Sequence, residues 1–486
     1  MREALSVVFI VAFNLVVYWR TLKYGLVMDD MQHWKGRREN GLKGWEYFKS
    51  IRSGAQLKQW ADERLYSGTT FGLNLRVERS FAIFLNALVA ALMYLALGRN
   101  EVSLVAALLY SCNPVNNQTS CWLNGRRYIL CIVLVLLMAA FPPAAILLYP
   151  AAGLLQVTAF FSPVLLVGHS PWYLALIPAA LFFTRKWIVD KISSRANAMA
   201  DGDLKTFGWT RPIVIVKTFG FFFWKMVFPQ VCAMQYPDRI KWGQTKEAND
   251  EAYALNSSFW IGICAFAVCA AVVFFCPGAC RPWAVFMVLA TLQWSAIIPV
   301  TQILSDRYCS MPNVFVMFFV SYFLHAWAGV FYAPIACVLG AYYLVCLSVV
   351  MPMYRDVNSW YSYHFTHFPG LSWYRHCLIS DLMNEGKKTE AYGQVVEGLY
   401  YDREDFRLLM WAAILSAIHA KPKKAIEFLG LAEKNLCLNK ESEQLEEIAY
   451  LREQVSKLLV LEKKTAYMTE REKAVFMKSR GVKISG

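Results

Sequence analysis

Charge is what this chain has least of. Only 17% of its 486 residues are Asp, Glu, Lys or Arg, against 57% hydrophobic, where an ordinary soluble domain carries roughly 25% charged residues. That balance argues against a wholly soluble protein. Acidic residues are the scarcer sign, 35 against 49 basic. The positive excess is scattered between apolar runs and forms no dense arm, which argues against a nucleic-acid partner and for anionic headgroups and phosphate-bearing lipids. The cysteines number 13, an odd count, and Cys131, Cys264, Cys269, Cys337 and Cys346 lie inside apolar runs, so no disulfide framework follows. His364 and His367 share HxxH spacing without a third ligand candidate nearby, so they read as interfacial aromatics and no metal site is expected there. The apolar N-terminus lacks a small-residue cleavage site and reads as a retained span.

What the chain has is long apolar runs. A helix needs about 20 mostly apolar residues to cross a bilayer. On that rule spans are expected near 5–22, 80–97, 102–114, 128–141, 143–165, 171–184, 212–233, 257–276, 282–303, 311–329 and 331–353. The expected fold is an all-α polytopic membrane protein of about 11 transmembrane helices, domain 1–353, with a large first extracytoplasmic loop at 20–79. With a cytoplasmic N-terminus, parity puts that loop, the 113–127 loop, Asp306-Arg307 and everything after 353 on the far face. The basic residues after 184 then fall inside, as the positive-inside tendency requires; the 12 basic residues of 20–79 oppose it, in a segment near the length where the rule loses force.

Beyond 353 the composition changes to 38 charged residues in 133 and helical periodicity replaces continuous apolarity. Ala391 and Ala425 stand 34 residues apart in two helix-turn-helix patterns, the period of tetratricopeptide repeats, in which neighbouring helix pairs bury each other's apolar faces. A TPR-like helical domain is expected over 354–464, closed by a charged capping helix, followed by a mobile basic tail at 465–486.

Three polar segments interrupt the apolar part. Asp29 and Asp30 follow the first run; a carboxylate pair there suits a base, a cation or a partner charge, or else a helix cap or solvated turn. A divalent cation shared by Asp29 and Asp30 is a variant that the pair allows, although no third carboxylate stands beside them. The stretch CNPVNNQTSCWLNGRRYIL brings together Asn113, Asn116, Gln118, Trp122, Asn124, Arg126 and Arg127. Its amides and guanidinium groups suit phosphate or sugar hydroxyls, or its arginines anchor a helix end at headgroups. In LSDRYCSMPN, Asp306, Arg307 and Tyr308 make either an ion pair or part of a site.

In this order the segments resemble the transmembrane and tetratricopeptide-repeat O-mannosyltransferases of the GT-C glycosyltransferase group. That family has Asp-Asp after its first span, a HPxHTExVxWxxGR-like loop, an (Asp/Glu)-Arg-Tyr-x-x-x-Pro motif and then repeats. The loop aligns at Pro114, Val115, Trp122, Gly125 and Arg126, the later motif at Asp306, Arg307, Tyr308 and Pro312; Arg64 and Asn86 resemble the family's Arg and Asn around the second span. Asn113, Asn116, Gln118 and Tyr128 depart from the two His, the acid and the Asp of the loop, and Gln156-Val157 from a Lys-Glu. The resemblance implies transfer of a sugar from a polyprenyl-phosphate donor to a hydroxyl, with protein Ser/Thr or a glycan as acceptor, on the extracytoplasmic face of the endoplasmic reticulum or bacterial inner membrane. Asp29 or Asp30 would be the base, Arg126, Arg307, Arg127 and Arg64 would meet the donor phosphate, and Asn113, Asn116, Gln118, Trp122, Asn124, Asp306 and Tyr308 would line the substrate. Two rival readings remain: an inactive relative acting as a membrane scaffold that recruits a protein partner through its repeats, and a transporter, for which only Lys217 and Lys225 look interior to a span, without an acid in that span.

Overall fold

The structure, a computed structural model, describes residues 2–27, 30, 74–166, 211–233, 236, 254–295, 304–436 and 442–465. These residues are helical wherever they are regular, and they divide into two compact units, one ending at His364 and the other beginning at Phe365.

The first unit contains α1 (Arg2–Tyr18), α2 (Leu75–Ala96), α3 (Glu101–Cys112), the short α4 (Asn117–Cys121), α5 (Arg126–Ala140), α6 (Ala145–Leu155), α7 (Arg211–Val227), α8 (Ser257–Phe275), α9 (Arg281–Gln293), α10 (Ser310–Ala328) and α11 (Tyr332–Val350). Local chemistry sets their ends. Asn74 caps α2 by accepting from the Arg76 amide, and Asn100 with Ser103 forms a reciprocal capping box on α3. Asn113 and Pro114 stop α3, and Pro142 follows the last turn of α5. At Gly329, φ is +52° and the chain reverses. Ser321 of α10 reaches the Val102 carbonyl and Asn313 reaches Asn116, so α10 runs antiparallel to α3. Tyr332 of α11 meets Ser321 while Gly340 faces Leu109, so α11 returns parallel to α3.

Among the described residues, four helical segments are long and apolar enough to cross a membrane: Arg2–Lys23, Leu75–Ala96, Ser257–Phe275 and Ser310–Tyr354. Pro114–Cys121 with Arg126–Ala140, bent by 109°, makes a fifth if the pair is one span. This corrects the expected fold class of about 11 transmembrane helices. Several apolar runs form helices too short for a hydrocarbon core of about 30 Å: α3 has 12 residues, α5 15, α6 11 and α9 13. Hydropathy registers burial in protein and burial in lipid alike, so short core helices read as spans in the sequence. The run at 171–184 lies outside the described residues. In the long segments 67% of the apolar window of α2 is buried, against 22% in α1 and in α8, which makes α2 an interior helix. Val8, Phe9 and Val16 of α1 and Trp260, Phe274 and Phe275 of α8 point outward. The membrane-length apolar helices are consistent with a membrane-associated protein.

Helices α7 and α8 approach most closely where glycine permits it. A Cβ on Gly220 would lie 2.5 Å from Gly262 Cα, and one on Gly262 would overlap the Val216 carbonyl; beside this contact Phe219 stacks on Phe266 with centroids 4.0 Å apart.

In the second unit α13 (Ser372–Asn384), α14 (Lys388–Tyr401), α15 (Phe406–Ile418), α16 (Pro422–Leu436) and α17 (Ser442–Thr465) follow α12 (Val357–His367), within which the boundary falls. Ala391 packs with Ile379, Val395, Leu408 and Leu415, and Ala425 packs with Leu409, Leu429, Ile448 and Val455. Asp405 caps α15 through the Leu408 amide and also accepts from Ser372.

Candidate functional site

The polar segments of the first unit meet at one end of its helices. The chain after α1 is tied there by the Gly25 amide to the Arg355 carbonyl at 2.7 Å, and by Arg79 at the start of α2, whose guanidinium donates to the Gly25 and Cys121 carbonyls. Asn113 at the end of α3 donates to the Met226 carbonyl of α7 at 2.8 Å, and Tyr343 of α11 donates to the Val227 carbonyl at 2.9 Å.

Asp30 is 3% exposed, and one carboxylate oxygen accepts from the Leu123 amide at 3.3 Å. Arg79 and Arg126 both lie within Coulombic range of it. Arg126 is fully buried: one guanidinium nitrogen meets the Glu78 carboxylate and another the Glu78 carbonyl, each at 2.6 Å, and its plane lies over Phe81. The α2 end of this cluster thus supplies an acid and a base, Glu78 and Arg79, that sequence reasoning passed over. The signal for them is an Arg-x-Glu-Arg run, Arg76 to Arg79, at the start of an apolar helix.

Between α3 and α5 the loop folds as a 3-10 turn at Pro114–Asn116, the short α4, and a second 3-10 turn at Leu123–Gly125. Gly125 is required there, because a Cβ would sit 2.8 Å from the Gln118 carbonyl oxygen and Thr119 Cα. Asn113 and Asn116 are committed to brace helices: besides Met226, Asn113 accepts from the Val115 amide, and Asn116 donates to the Tyr110 carbonyl and accepts from Asn313. Gln118 reaches the other motif. Its side-chain Oε1 accepts from the Arg307 amide at 2.8 Å and from Ser305 Oγ at 3.1 Å, while its Nε2 is buried without a hydrogen-bond partner among the described residues. One helical turn on, the Trp122 ring lies 5.8 Å from the Arg307 guanidinium, and its Nε1 is buried and unmatched in the same sense. Trp122 and Leu123, adjacent in sequence, therefore contact Arg307 and Asp30 respectively. Half-buried Arg127 lies over the Tyr128 ring at 5.2 Å.

The turn Asp306–Tyr308 brings Arg307 and Tyr308 together, an Arg307 nitrogen donating to the Tyr308 hydroxyl at 3.2 Å, and sends Asp306 elsewhere. Arg307 lies over Tyr308 at 5.0 Å, and Tyr308 stacks on Trp294 with centroids 4.3 Å apart. Asp306 turns toward the chain after α7, where Ala233 N donates to it at 2.7 Å and Tyr236 OH lies 2.7 Å away. Burial pushes its pKa up from 3.8 to about 6, a rise opposed by Lys225 and by the hydrogen bonds from Tyr236, Ala233 and Cys232. Lys225 of α7, whose ammonium lies 4.8 Å from the Tyr236 ring centre, thus has an acidic neighbour on another element.

A chain of amides and hydroxyls joins four helices, α1 to α4, behind the site: Asn14 donates to Ser111 at 2.8 Å, Asn86 donates to Asn14 at 2.9 Å, and Ser120 donates to Asn86 at 3.0 Å. Asp29, Arg64 and the Asn124 side chain lie outside the described residues, and with Asp29 goes the cation variant. His364 is buried in α12 with Nδ1 against the Trp360 carbonyl. No match to this chain is found among models of known protein families, among curated proteins or among solved structures.

Proposed function

We propose that the protein is a multi-pass membrane glycosyltransferase of the kind its sequence resembles, moving a sugar from a polyprenyl phosphate to a hydroxyl acceptor on the extracytoplasmic face, with protein Ser/Thr as the acceptor class. The observation that carries this reading is the meeting of Asp30, the 113–127 loop and Arg307 through Trp122 and Leu123. Asp30 takes the proton of the attacking hydroxyl. A guanidinium that meets the leaving phosphate as its charge grows lowers the barrier more than it helps ground-state binding. Arg307 and Arg127 fill that role, whereas Arg126, matched by Glu78, holds the loop to α2. One base without a covalent nucleophile implies inversion at the anomeric carbon, by analogy with inverting glycosidases. The helical second unit serves as the platform for an extended acceptor, and the membrane is that of the endoplasmic reticulum or the bacterial inner membrane.

A second reading is an inactive relative that acts as a scaffold. The buried Glu78–Arg126 pair favours it, since charges that satisfy one another need no substrate. Transfer from a radiolabelled polyprenyl-phosphate sugar by purified wild-type protein and Asp30→Asn separates the two. A general base contributes typically about 100-fold to 10,000-fold; undiminished transfer by Asp30→Asn removes Asp30 as the base, and absence of transfer by the folded wild type across donors favours the scaffold.

A further inference from the structure

The Tyr236 phenol oxygen has more demands on its single proton than it can meet. It lies 2.9 Å from the Val231 carbonyl oxygen and 2.7 Å from an Asp306 carboxyl oxygen, while the Ala233 amide donates to it at 2.9 Å. A phenol has one O–H to give. If Asp306 is ionised, both neighbouring oxygens are acceptors, and one of the two contacts sets lone pair against lone pair. A proton on Asp306 resolves the arrangement: Asp306 donates to Tyr236, Tyr236 donates to Val231, and Ala233 N is shared between the phenol and the other carboxyl oxygen.

We infer that Asp306 is held as a carboxylic acid sharing its proton with Tyr236, and that this acid clasps Val231, Ala233 and Tyr236 onto the turn that carries Arg307. The clasp is extended by main-chain bonds from Tyr236 N to the Leu304 carbonyl and from Asp306 N to the Ala233 carbonyl. Asp306 is thus a positioning residue and has no direct role as a substrate ligand. The groups facing it are Lys225 from α7, Tyr236 and Cys232 from the chain after α7, Cys309 from its own turn and Tyr363 from α12. Burial pushes both thiols and both phenols upward, so they stay neutral and Lys225 is the charged neighbour. Its attraction for a carboxylate is outweighed by desolvation, which is why the acid persists to about pH 6. Once it ionises, the phenol must turn its proton to Asp306 and abandon Val231, which loosens the clasp.

The positioning role rests on the reading that Arg307 meets the donor phosphate; the shared proton does not. Infrared difference spectra of the purified full chain, taken on raising the pH from about 4 to about 8, read the carboxylic acid directly. Wild type should lose a protonated-carboxyl band that Asp306→Asn lacks and that Tyr236→Phe shifts. Binding in detergent of a polyprenyl-phosphate sugar, a phosphodiester with no group of its own that titrates over this range, should weaken as the pH rises in wild type and stay level in Asp306→Asn, whose amide still donates to Tyr236 but cannot ionise. A merely structural Asp306 would not flatten the profile. No Asp306-dependent band at any pH, or the same binding profile in all three proteins, overturns the inference. The band without phosphate binding at any pH upholds the shared proton, and it is the glycosyltransferase reading that then fails.

Discussion

Arg126 and Glu78 make an ion pair at 2.6 Å in which neither side chain is exposed to solvent. Each has been taken out of water for the sake of the other, so the pair is far costlier to halve than to replace. Glu78→Gln or Arg126→Met alone should destabilise the protein by about 3–5 kcal/mol, and the double variant Glu78→Leu with Arg126→Met should recover most of the loss. Thermal unfolding in detergent reads both. A mild effect of either single change would mean that the charge is compensated elsewhere.

Gly262 sets the distance between α7 and α8. Because an added Cβ would strike the Val216 carbonyl, which is main chain and cannot swing aside, Gly262→Leu should force the helices apart. Overpacking costs typically about 1–3 kcal/mol, and loss of the Phe219–Phe266 stack adds to it. A disulfide-trapping experiment with cysteines placed across the pair should show reduced trapping in Gly262→Leu; unchanged trapping and stability would refute the close approach.

Asp306 makes stability depend on pH in a direction opposite to a salt-bridged carboxylate. Its pKa rises from 3.8 to about 6 on folding, so the folded state holds a proton that the unfolded chain releases. The resulting stabilisation is fully present below about pH 4 and is lost as the pH rises through about 6. Unfolding midpoints should contain a step of this sign that Asp306→Asn removes. A step of the opposite sign attributable to Asp306 would show that the folded protein prefers the carboxylate.

Asp405 joins two neighbouring helices of the second unit, capping α15 through Leu408 N at 2.8 Å while accepting from Ser372 Oγ at 2.6 Å. Asp405→Ala should cost about 0.5–2 kcal/mol from the cap alone, and more with the Ser372 bond lost. Amide hydrogen exchange in the full chain should quicken at the start of α15; protection equal to wild type there would contradict the cap.

The helical character of the chain was legible from its apolar runs, as was the change of composition after 353. The number of membrane-length helices was not, because the run ending at Cys112 looks the same whether protein or lipid surrounds it. Asp30, Gln118, Trp122 and Arg307 stood out as polar residues between apolar runs, and the structure brings all four to one end of the unit. Glu78 and Arg79 are not legible as site residues, because 20–79 reads as a solvated loop, whereas both belong to the start of a buried helix. Lys225 and Asp306 cannot be paired from sequence, since the lysine's own span holds no acid and its acidic neighbour comes from a distant turn. Nothing in the sequence ties Tyr236 to Asp306; that contact exists only once α7 has delivered its following residues to the end of the unit.

The run of side chains from Ser111 through Asn14 and Asn86 to Ser120 sets a depth gauge. Apolar helices slide past one another at little cost, since one methyl group replaces the next. A shift of α1 by a single turn, about 5.4 Å, would carry Asn14 away from both Ser111 and Asn86 and strand their amides and hydroxyls in an apolar surround, where each unmatched group costs several kcal/mol. The first helix is therefore keyed to one axial position against α2 and α3. Asp30 hangs from the same helix by a short connection, so the level at which its carboxylate meets Leu123 is measured out by an asparagine far up the chain that never touches it.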